Sequence, residues 1–192
     1  MKEFAIKAFD DSAEIKRRFA RDHADRIVQV AQLIGGAFQA GHKVLLFGNG
    51  GSSTDAAHIA AEFVGRYKRE RAPLPAIALA TDIAAITCIA NDYGFEELFA
   101  RQVQAHGQRG DVAIAISTSG NSPNVLKGVE AAKALVFNMM ACTGGTGGKL
   151  AGMVDYAFVV PSTLTARIQE SHITLGHVLC ELIEDHVLAN PA

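Results

Sequence analysis

Hydrophobic positions along the chain follow two spacings, one typical of helices and one typical of buried strands. Residues 1–41 carry apolar side chains at three- and four-residue intervals, which predicts a helical region that ends at Gly41. Five short and almost uninterrupted apolar runs come later and are predicted to be buried strands. These runs are residues 43–47, 76–80, 111–117, 137–142 and 156–160.

Helical spacing returns between and after these strands, in residues 54–66, 83–90, 95–105, 124–135 and 165–188. Strands that alternate with helices predict a parallel sheet covered by helices on both faces, an α/β fold of the flavodoxin-like three-layer kind. A length of 192 residues fits one domain, residues 1–192. The long terminal helices exceed what one small sheet needs, so we expect them to pack on other subunits.

The charge balance favours a small-molecule partner over nucleic acid. Lys and Arg total 18 against 20 Asp and Glu, and no basic stripe suited to phosphate backbones is present. No apolar run is long and uncharged enough to predict a membrane span, and the charged N-terminus is unlike a signal peptide. Cys88, Cys142 and Cys180 form no CxxC pair, which indicates reduced thiols in a cytoplasmic protein.

A glycine-rich turn, G-N-G-G-S-S in residues 48–53, follows the first predicted strand. It is not a dinucleotide motif, because Ser53 stands where G-x-G-x-x-G needs its third glycine. A phosphate-binding P-loop ending at Gly148-Lys149 is excluded as well, since Thr143 and Leu150 replace two required residues. Two interpretations of residues 48–53 remain. Their N–H groups bind an anion or sugar hydroxyls, or the segment is a tight turn with a capping serine.

A second turn, S-T-S-G-N-S in residues 117–122, lies between a buried strand and a helix. It brings four hydroxyls, one amide and a glycine to a helix N-terminus, where neutral donors bind a phosphate without Lys or Arg. Ligands of parallel sheets bind beyond the carboxyl ends of the strands. We therefore expect both turns to form one site.

Two helices carry candidate metal ligands. His58 and Glu62 are four residues apart and project from one helical face. That spacing suits two ligands of one metal, a ligand and a base, or an ordinary surface contact. The last helix holds Gln169, Glu170, His172 and His177 in an otherwise apolar stretch. Asn91-Asp92 lies in a segment that by its spacing alone predicts only a turn.

Taken together, these segments resemble one known family, the phosphoheptose isomerases, which are sugar isomerase (SIS) domains. Five separated motifs follow the family's order and the resemblance covers residues 25–188. The motifs are residues 48–52, the His58/Glu62 pair, Asn91-Asp92, residues 117–122, and residues 165–170 through His177. The chain departs from the family pattern in residues 133–140, where Val136 replaces an expected helix-ending glycine.

The resemblance implies a metal ion, most often zinc, bound once per subunit by His58, Glu62, Gln169 and His177. It implies a homotetramer that converts D-sedoheptulose 7-phosphate to D-glycero-D-manno-heptose 7-phosphate, the first step towards ADP-heptose and the heptose of the lipopolysaccharide core. It also implies a set of substrate contacts, most of them in the two turns. They are Asn49, Gly50, Gly51, Ser52, Glu62, Asn91, Asp92, Ser117, Thr118, Ser119, Ser122 and Gln169.

Such a reaction moves a proton from the carbon beside a carbonyl to its neighbour through an enediol. A carboxylate serves as base, a histidine moves a proton on oxygen, and a metal polarises the carbonyl. We assign Glu62 as the base and His177 as the acid/base partner. A carboxylate bound tightly to a metal is a poorer base, so Glu62 is expected to shift when substrate binds.

The geometry of the last helix raises the question of subunit sharing. Gln169 and His177 are about 12 Å apart along a regular helix and roughly 80° apart around it, whereas metal–ligand bonds are about 2.0–2.2 Å long. Either the helix is distorted between Ser171 and Gly176, or one residue serves a site built with another chain. We expect the second, with Glu62 and His177 acting across subunits.

Two alternatives to this enzyme stay open at this point. One is a non-catalytic regulator of the same fold that binds the replication initiator protein or senses a sugar phosphate. The other is an isomerase of a pentose or hexose phosphate. The joint presence of His58, Glu62, Gln169 and His177 favours an enzyme.

Overall fold

The computed structural model describes residues 1–190 and contains one five-stranded sheet. All strands are parallel and their order is β2-β1-β3-β4-β5. The strands are β1 (Val44–Gly48), β2 (Ala76–Ala78), β3 (Val112–Ile116), β4 (Asn138–Gly144) and β5 (Tyr156–Val160). The helices are α1 (Lys2–Gln39), α2 (Gly51–Val64), α3 (Ile83–Tyr93), α4 (Leu98–His106), α5 (Pro123–Ala134) and α6 (Thr165–Ala189). Short 3₁₀ turns span Phe95–Glu97 and Leu150–Gly152.

Two hydrophobic cores cover the two faces of the sheet, which confirms the predicted three-layer α/β fold. Successive strand residues point to opposite faces, so Leu46 and Ile114 lie in one core while Phe47 and Ala115 lie in the other. Helices α1, α2 and α6 close the first core, and α4 and α5 close the second. The predicted strands are all present, although β2 ends at Ala78, two residues early.

Helix α1 has a buried half and an exposed half. From Phe19 onward it buries apolar side chains against α6 and β5. Its first turns instead expose large apolar groups, with Phe4 78% and Phe9 80% accessible. None of the helices in residues 1–190 is long and apolar enough to cross a membrane.

The strand order positions the two polar turns side by side. After β1 the chain moves outward to β2 and then crosses back to β3 on the other side of β1. At such a reversal the turns at the strand ends diverge and leave a crevice. Gly48 and Ile116, the last residues of β1 and β3, are register partners. A Cβ on Gly48 would lie 2.6 Å from the Ile116 carbonyl oxygen, so this approach requires glycine.

His172 joins α6 to the end of β4 inside the first core. Its Nε2 lies 3.1 Å from the carbonyl oxygen of Thr143, and only 3% of the residue is exposed. A carbonyl only accepts, so Nε2 carries the proton and donates it. Burial lowers the pKa of His172 to about 4, although the hydrogen bond to Thr143 opposes that change. The imidazole is therefore neutral at physiological pH.

Val136, in the turn between α5 and β4, is the one non-glycine residue with positive φ among residues 1–190. Its φ is 58° and 58% of the residue is exposed. The family pattern has a helix-ending glycine at this position, and this chain has a valine. The structure shows the cost, because a β-branched residue in the left-handed region is strained.

Replacing Val136 with glycine is predicted to raise the melting temperature. Release of left-handed strain gains about 1–2 kcal/mol, and the greater freedom of glycine in the unfolded chain offsets part of it. Differential scanning calorimetry should show an increase of a few degrees. The matched control Val28→Gly, inside α1, should lower the melting temperature. A decrease in the Val136→Gly protein would contradict the strain.

Acidification is predicted to destabilise the fold through His172. The folded pKa of about 4 lies below the value of 6.5 for an ordinary histidine. Between these values the unfolded chain binds a proton that the folded chain does not, so stability falls as the pH decreases from 6.5 to about 4. The full difference corresponds to about 3 kcal/mol of unfolding free energy.

Urea denaturation at several pH values measures this dependence in the wild type and in His172→Gln, whose amide can still donate to Thr143. The variant should show a flatter profile between pH 6.5 and 4. His106→Gln, at the exposed end of α4, is the control and should keep the wild-type profile. Identical profiles for wild type and His172→Gln would exclude His172 as the cause.

Candidate active site

The turn between β1 and α2 is fixed by a reciprocal amide pair. Asn49 Nδ2 donates to Asn124 Oδ1 at 2.8 Å, and Asn124 Nδ2 donates to Asn49 Oδ1 at 2.9 Å. Asn124 is buried in the first turn of α5, so the pair joins the two predicted substrate turns. Gly50 has a φ of 54°, which favours glycine, and Ser52 is buried beneath the turn.

The turn between β3 and α5 orients its hydroxyl groups by pairing them. Ser117 Oγ lies 3.0 Å from Ser122 Oγ. Ser122 is the N-cap of α5, yet its hydroxyl pairs with Ser117 and not with the N–H groups of the helix. Those N–H groups stay available to an anion. A Cβ on Gly120, whose φ is 65°, would overlap the carbonyl oxygen of Gly147.

A cavity of about 350 Å³ opens beside this turn. It lies where the carboxyl ends of β3 and β4 meet the N-terminus of α6. The N-cap of α6 is the apolar Leu164, which offers no side-chain acceptor to the first N–H groups of that helix, and Thr165 in the same turn lines the cavity. The lining is formed by glycines, one isoleucine and hydroxyl-bearing residues: Thr118, Ser119, Gly144, Gly145, Thr146, Ser162, Thr163, Thr165 and Ile168. Helix N–H groups and hydroxyls without a cationic side chain suit a phosphate group.

His58, Glu62 and His177 form a second cluster, between α2 and α6. His58 Nε2 lies 3.0 Å from His177 Nε2 and 3.3 Å from Glu62 Oε1, and one ligand atom from each residue lies within 4.8 Å of the others. Two imidazoles and one carboxylate are the ligands of catalytic zinc sites that keep a position open for substrate. Their donor atoms and spacing therefore fit a zinc ion.

The cluster depends on close packing of α2 against α6. The two helices run parallel, so that Gly51 meets Gln169 and Ile59 meets Gly176. A Cβ on Gly176 would lie 2.5 Å from Ile59 Cδ1, so a larger residue would separate the helices. His177 would then no longer lie within 3.0 Å of His58.

Helix α6 is unbroken from Thr165 to Ala189, and His177 reaches His58 of its own chain. This corrects the expectation that Glu62 and His177 act across subunits, because one chain brings both together. Gln169, the fourth ligand implied by the resemblance, lies at the other end of the interface. Its side chain contacts Gly51, where a Cβ would overlap its Nε2.

Asp55 lies on α2 one turn before His58. Burial raises the pKa of its carboxyl group, while the nearby His58 and His177 lower it. Asp55 Oδ2 is buried and has no hydrogen-bond partner among residues 1–190. Asp55 therefore adds a carboxyl group under the histidine pair.

Asn91 and Asp92 lie on the exposed end of α3. Asn91 Nδ2 donates to Asp92 Oδ1 at 2.8 Å. No residue of α3 is buried, and Ile83 and Tyr93 expose apolar surface beside them. The structure thus leaves these two predicted substrate residues on an open surface, outside the lining of the 350 Å³ cavity.

Several site residues escaped the sequence reasoning. The i, i+3 spacing of Asp55 and His58 was a usable signal for Asp55. The reciprocal partner of Asn49, Asn124, had none, because 75 residues separate the two. The same holds for the hydroxyls of Thr146, Ser162 and Thr163, which the fold brings to the cavity from beyond β4 and β5.

Comparisons with known proteins identify the family of the chain. The family model of the SIS domain matches residues 9–144. A phosphoheptose isomerase of Aquifex aeolicus is 57% identical over 187 residues, 97% of this chain and 98% of the relative. One of Thermodesulfovibrio yellowstonii is 55% identical over 186 residues, 97% of this chain and 92% of the relative.

A solved structure of a phosphoheptose isomerase from Neisseria gonorrhoeae superimposes with a TM-score of 0.90. It is 42% identical, and the match covers 96% of this chain and 98% of the other. Sequence and structure therefore lead to the same relatives over nearly their full length. The chain belongs to the phosphoheptose isomerase family of SIS-domain proteins and is an aldose–ketose isomerase.

Proposed function

We propose that this enzyme converts D-sedoheptulose 7-phosphate to D-glycero-D-manno-heptose 7-phosphate through an enediol. The proposal depends on one observation: helix α2 connects the polar turns, at its N-terminus, with the cluster of His58, Glu62 and His177. Helix α2 begins beside the polar turns at Gly51 and carries His58 seven residues later, about 10 Å along its axis. The relatives of this chain are phosphoheptose isomerases, which supports the same substrate class.

This spacing suits a long sugar phosphate. In an extended ketose 7-phosphate the carbonyl and the phosphate lie at opposite ends of the carbon chain. The phosphate end belongs in the cavity of Thr118 and Ser119, where helix N–H groups and hydroxyls donate to it. The carbonyl end then lies towards His58, Glu62 and His177. The sugar hydroxyls between them belong to Asn49–Ser52 and Gln169.

Glu62 and His177 divide the proton transfers between carbon and oxygen. Glu62 takes the proton from the carbon beside the carbonyl and returns it to the neighbouring carbon. Its side chain is 25% exposed, which leaves the carboxylate accessible to a substrate. His177 moves the proton between the two oxygens. The reaction is a net shift of hydrogen, so no other reactant is consumed.

His58, Glu62 and His177 are the residues of this chain that would hold zinc, with Gln169 as the further ligand implied by the family resemblance. A bound zinc ion would supply Lewis-acid polarisation of the substrate oxygens. A carboxylate that zinc held would be a weaker base, so Glu62 would have to turn from the cluster towards the substrate to act as the base.

The assignment of Glu62 predicts a loss of turnover in Glu62→Gln, which keeps the size and removes the base. With sedoheptulose 7-phosphate in D2O, the wild type should place deuterium on carbon, whereas the variant should lose both exchange and turnover by at least about 100-fold. NMR of the sugar and a coupled assay measure both. Turnover at the wild-type rate would remove Glu62 from the mechanism.

The phosphate cavity predicts the opposite kinetic pattern. Ser119→Ala/Ser122→Ala removes one hydroxyl of the cavity lining and the hydrogen-bond partner of the Ser117 hydroxyl, so KM should rise more than kcat falls, as expected for uniform binding. Replacement of half-buried Ser53, whose hydroxyl bonds to the Gly50 carbonyl outside the cavity lining, by alanine is the control and should leave both constants near wild type. If the unphosphorylated sugar bound as well as the phosphate ester, this site would be excluded.

We further propose a homotetramer that works in the cytoplasm in the heptose pathway of lipopolysaccharide. Exposed Phe4 and Phe9 on α1, and Ile83 and Tyr93 at α3, support assembly because such apolar surface favours burial between subunits. Burial raises the pKa of the Cys142 and Cys180 thiols to about 12, which fits reduced core residues. If a neighbouring subunit contributes to the active site, the residues it would bring together with the histidine cluster are Gln169, Asn91 and Asp92, which lie outside that cluster in one chain.

Light scattering of the purified protein is predicted to give four times the chain mass of 20.3 kDa. Phe4→Ser/Phe9→Ser should lower that mass, because it removes apolar groups from the exposed half of α1. The control Val136→Ser alters an exposed apolar residue of the α5–β4 turn and should keep the mass. A monomeric wild type would exclude the tetramer, and the proposed isomerase activity would still be decided separately by the turnover assay.

A further inference from the structure

The loop between α2 and β2, residues 65–75, passes beside the histidine cluster. The ring of half-buried Tyr67 stacks on the imidazole of His177, with 5.8 Å between centroids and 20° between planes. The ring of His58 meets the same imidazole edge-on, at 5.1 Å and 68°. His177 therefore has an aromatic neighbour on its face in addition to its neighbour in the cluster.

A buried carboxylate fixes the position of this loop. Glu184, on α6 and 1% exposed, accepts three successive backbone N–H groups: Tyr67 N at 3.2 Å, Lys68 N at 3.1 Å and Arg69 N at 2.9 Å. The guanidinium of Arg71 lies 3.3 Å away. Burial raises the pKa of Glu184, but the three N–H groups and Arg71 more than offset this and lower it overall. Glu184 is therefore an anion that holds the loop by its backbone.

A surface contact adds to this anchor. Lys68 Nζ lies 2.8 Å from Glu181 Oε1 and 5.5 Å from the centre of the Tyr67 ring. Glu181 and Glu184 are on the same helix as His177, which means that α6 carries both the histidine and the groups that place its neighbour. Seven residues separate His177 from Glu184, about 10.5 Å along the helix. Glu184 thus acts on His177 through the loop.

We propose that Tyr67 is a positioning residue for His177 and that Glu184 keeps it there. The stacked ring restricts the side-chain rotation of His177, so that Nε2 stays directed at His58 and Glu62. Aromatic pairs in offset stacks stabilise one relative orientation, and groups that orient a ligand histidine tune its metal affinity. The benefit to catalysis rests on the function proposed for His177, whereas the restricted rotation of the His177 side chain does not depend on that function.

The metal-free protein provides the first test. With ¹³C-labelled histidine, the Cε1–H signal of His177, assigned by its loss in His177→Gln, should be single and narrow in the wild type and in Tyr67→Phe. In Tyr67→Leu it should broaden or split, because the ring samples more than one rotamer. Glu184→Gln should reproduce that change without touching His177. Tyr156→Leu, at the amino end of β5, is the matched control and should leave the signal unchanged.

Cobalt binding provides the second readout. Visible-absorption titration with Co²⁺ should show affinity about 10-fold weaker in Tyr67→Leu, and close to wild type in Tyr67→Phe and Tyr156→Leu. A narrow His177 signal and wild-type cobalt affinity in Tyr67→Leu would overturn the proposal, even if Glu184→Gln failed to fold. If the wild type bound no cobalt, the proposed metal centre would be wrong, and the histidine spectra would still decide the role of Tyr67.

Discussion

The close parallel packing of α2 on α6 is the constraint on which the site depends. Glycine at position 176 permits it, because a Cβ there would lie 2.5 Å from Ile59 Cδ1. The approach brings His58 and Glu62 of one helix to His177 of the other. It also sets Gln169 against Gly51 at the start of α2. The chemistry of the site is thus specified partly by a residue that has no functional side chain.

A second element of organisation is the reversal of strand order around β1. It places the turns after β1 and β3 next to each other, and Asn49 and Asn124 join them by two hydrogen bonds. The 350 Å³ cavity then forms one strand further along, at the ends of β3 and β4. His172 holds that end of β4 from inside the core. The cavity beside Thr118 and Ser119 and the histidine cluster are therefore supported by the same helix, α6.

Sequence patterns were sufficient for the sheet, because parallel strands are buried on both faces and appear as continuous apolar runs. They were also sufficient for the His58/Glu62 pair, whose spacing along one helix is local. The position of His177 was misjudged, since helix periodicity cannot say which face of another helix lies opposite. No sequence pattern predicted the contact between Tyr67 and Glu184 either. The two are 117 residues apart, and Glu184 binds the backbone N–H of Tyr67, which does not depend on the side chain.

The lining of the 350 Å³ cavity contains no cationic side chain, which has a consequence for the entropy of binding the proposed phosphate. A lysine or arginine loses about 1.5–2 kcal/mol of rotamer freedom when it is fixed on a ligand. The donors around Thr118, Ser119 and the first turn of α6 are backbone groups and short hydroxyl side chains, which are ordered by the fold itself. Most of the ordering that a phosphate would require there has therefore taken place during folding, before any substrate arrives.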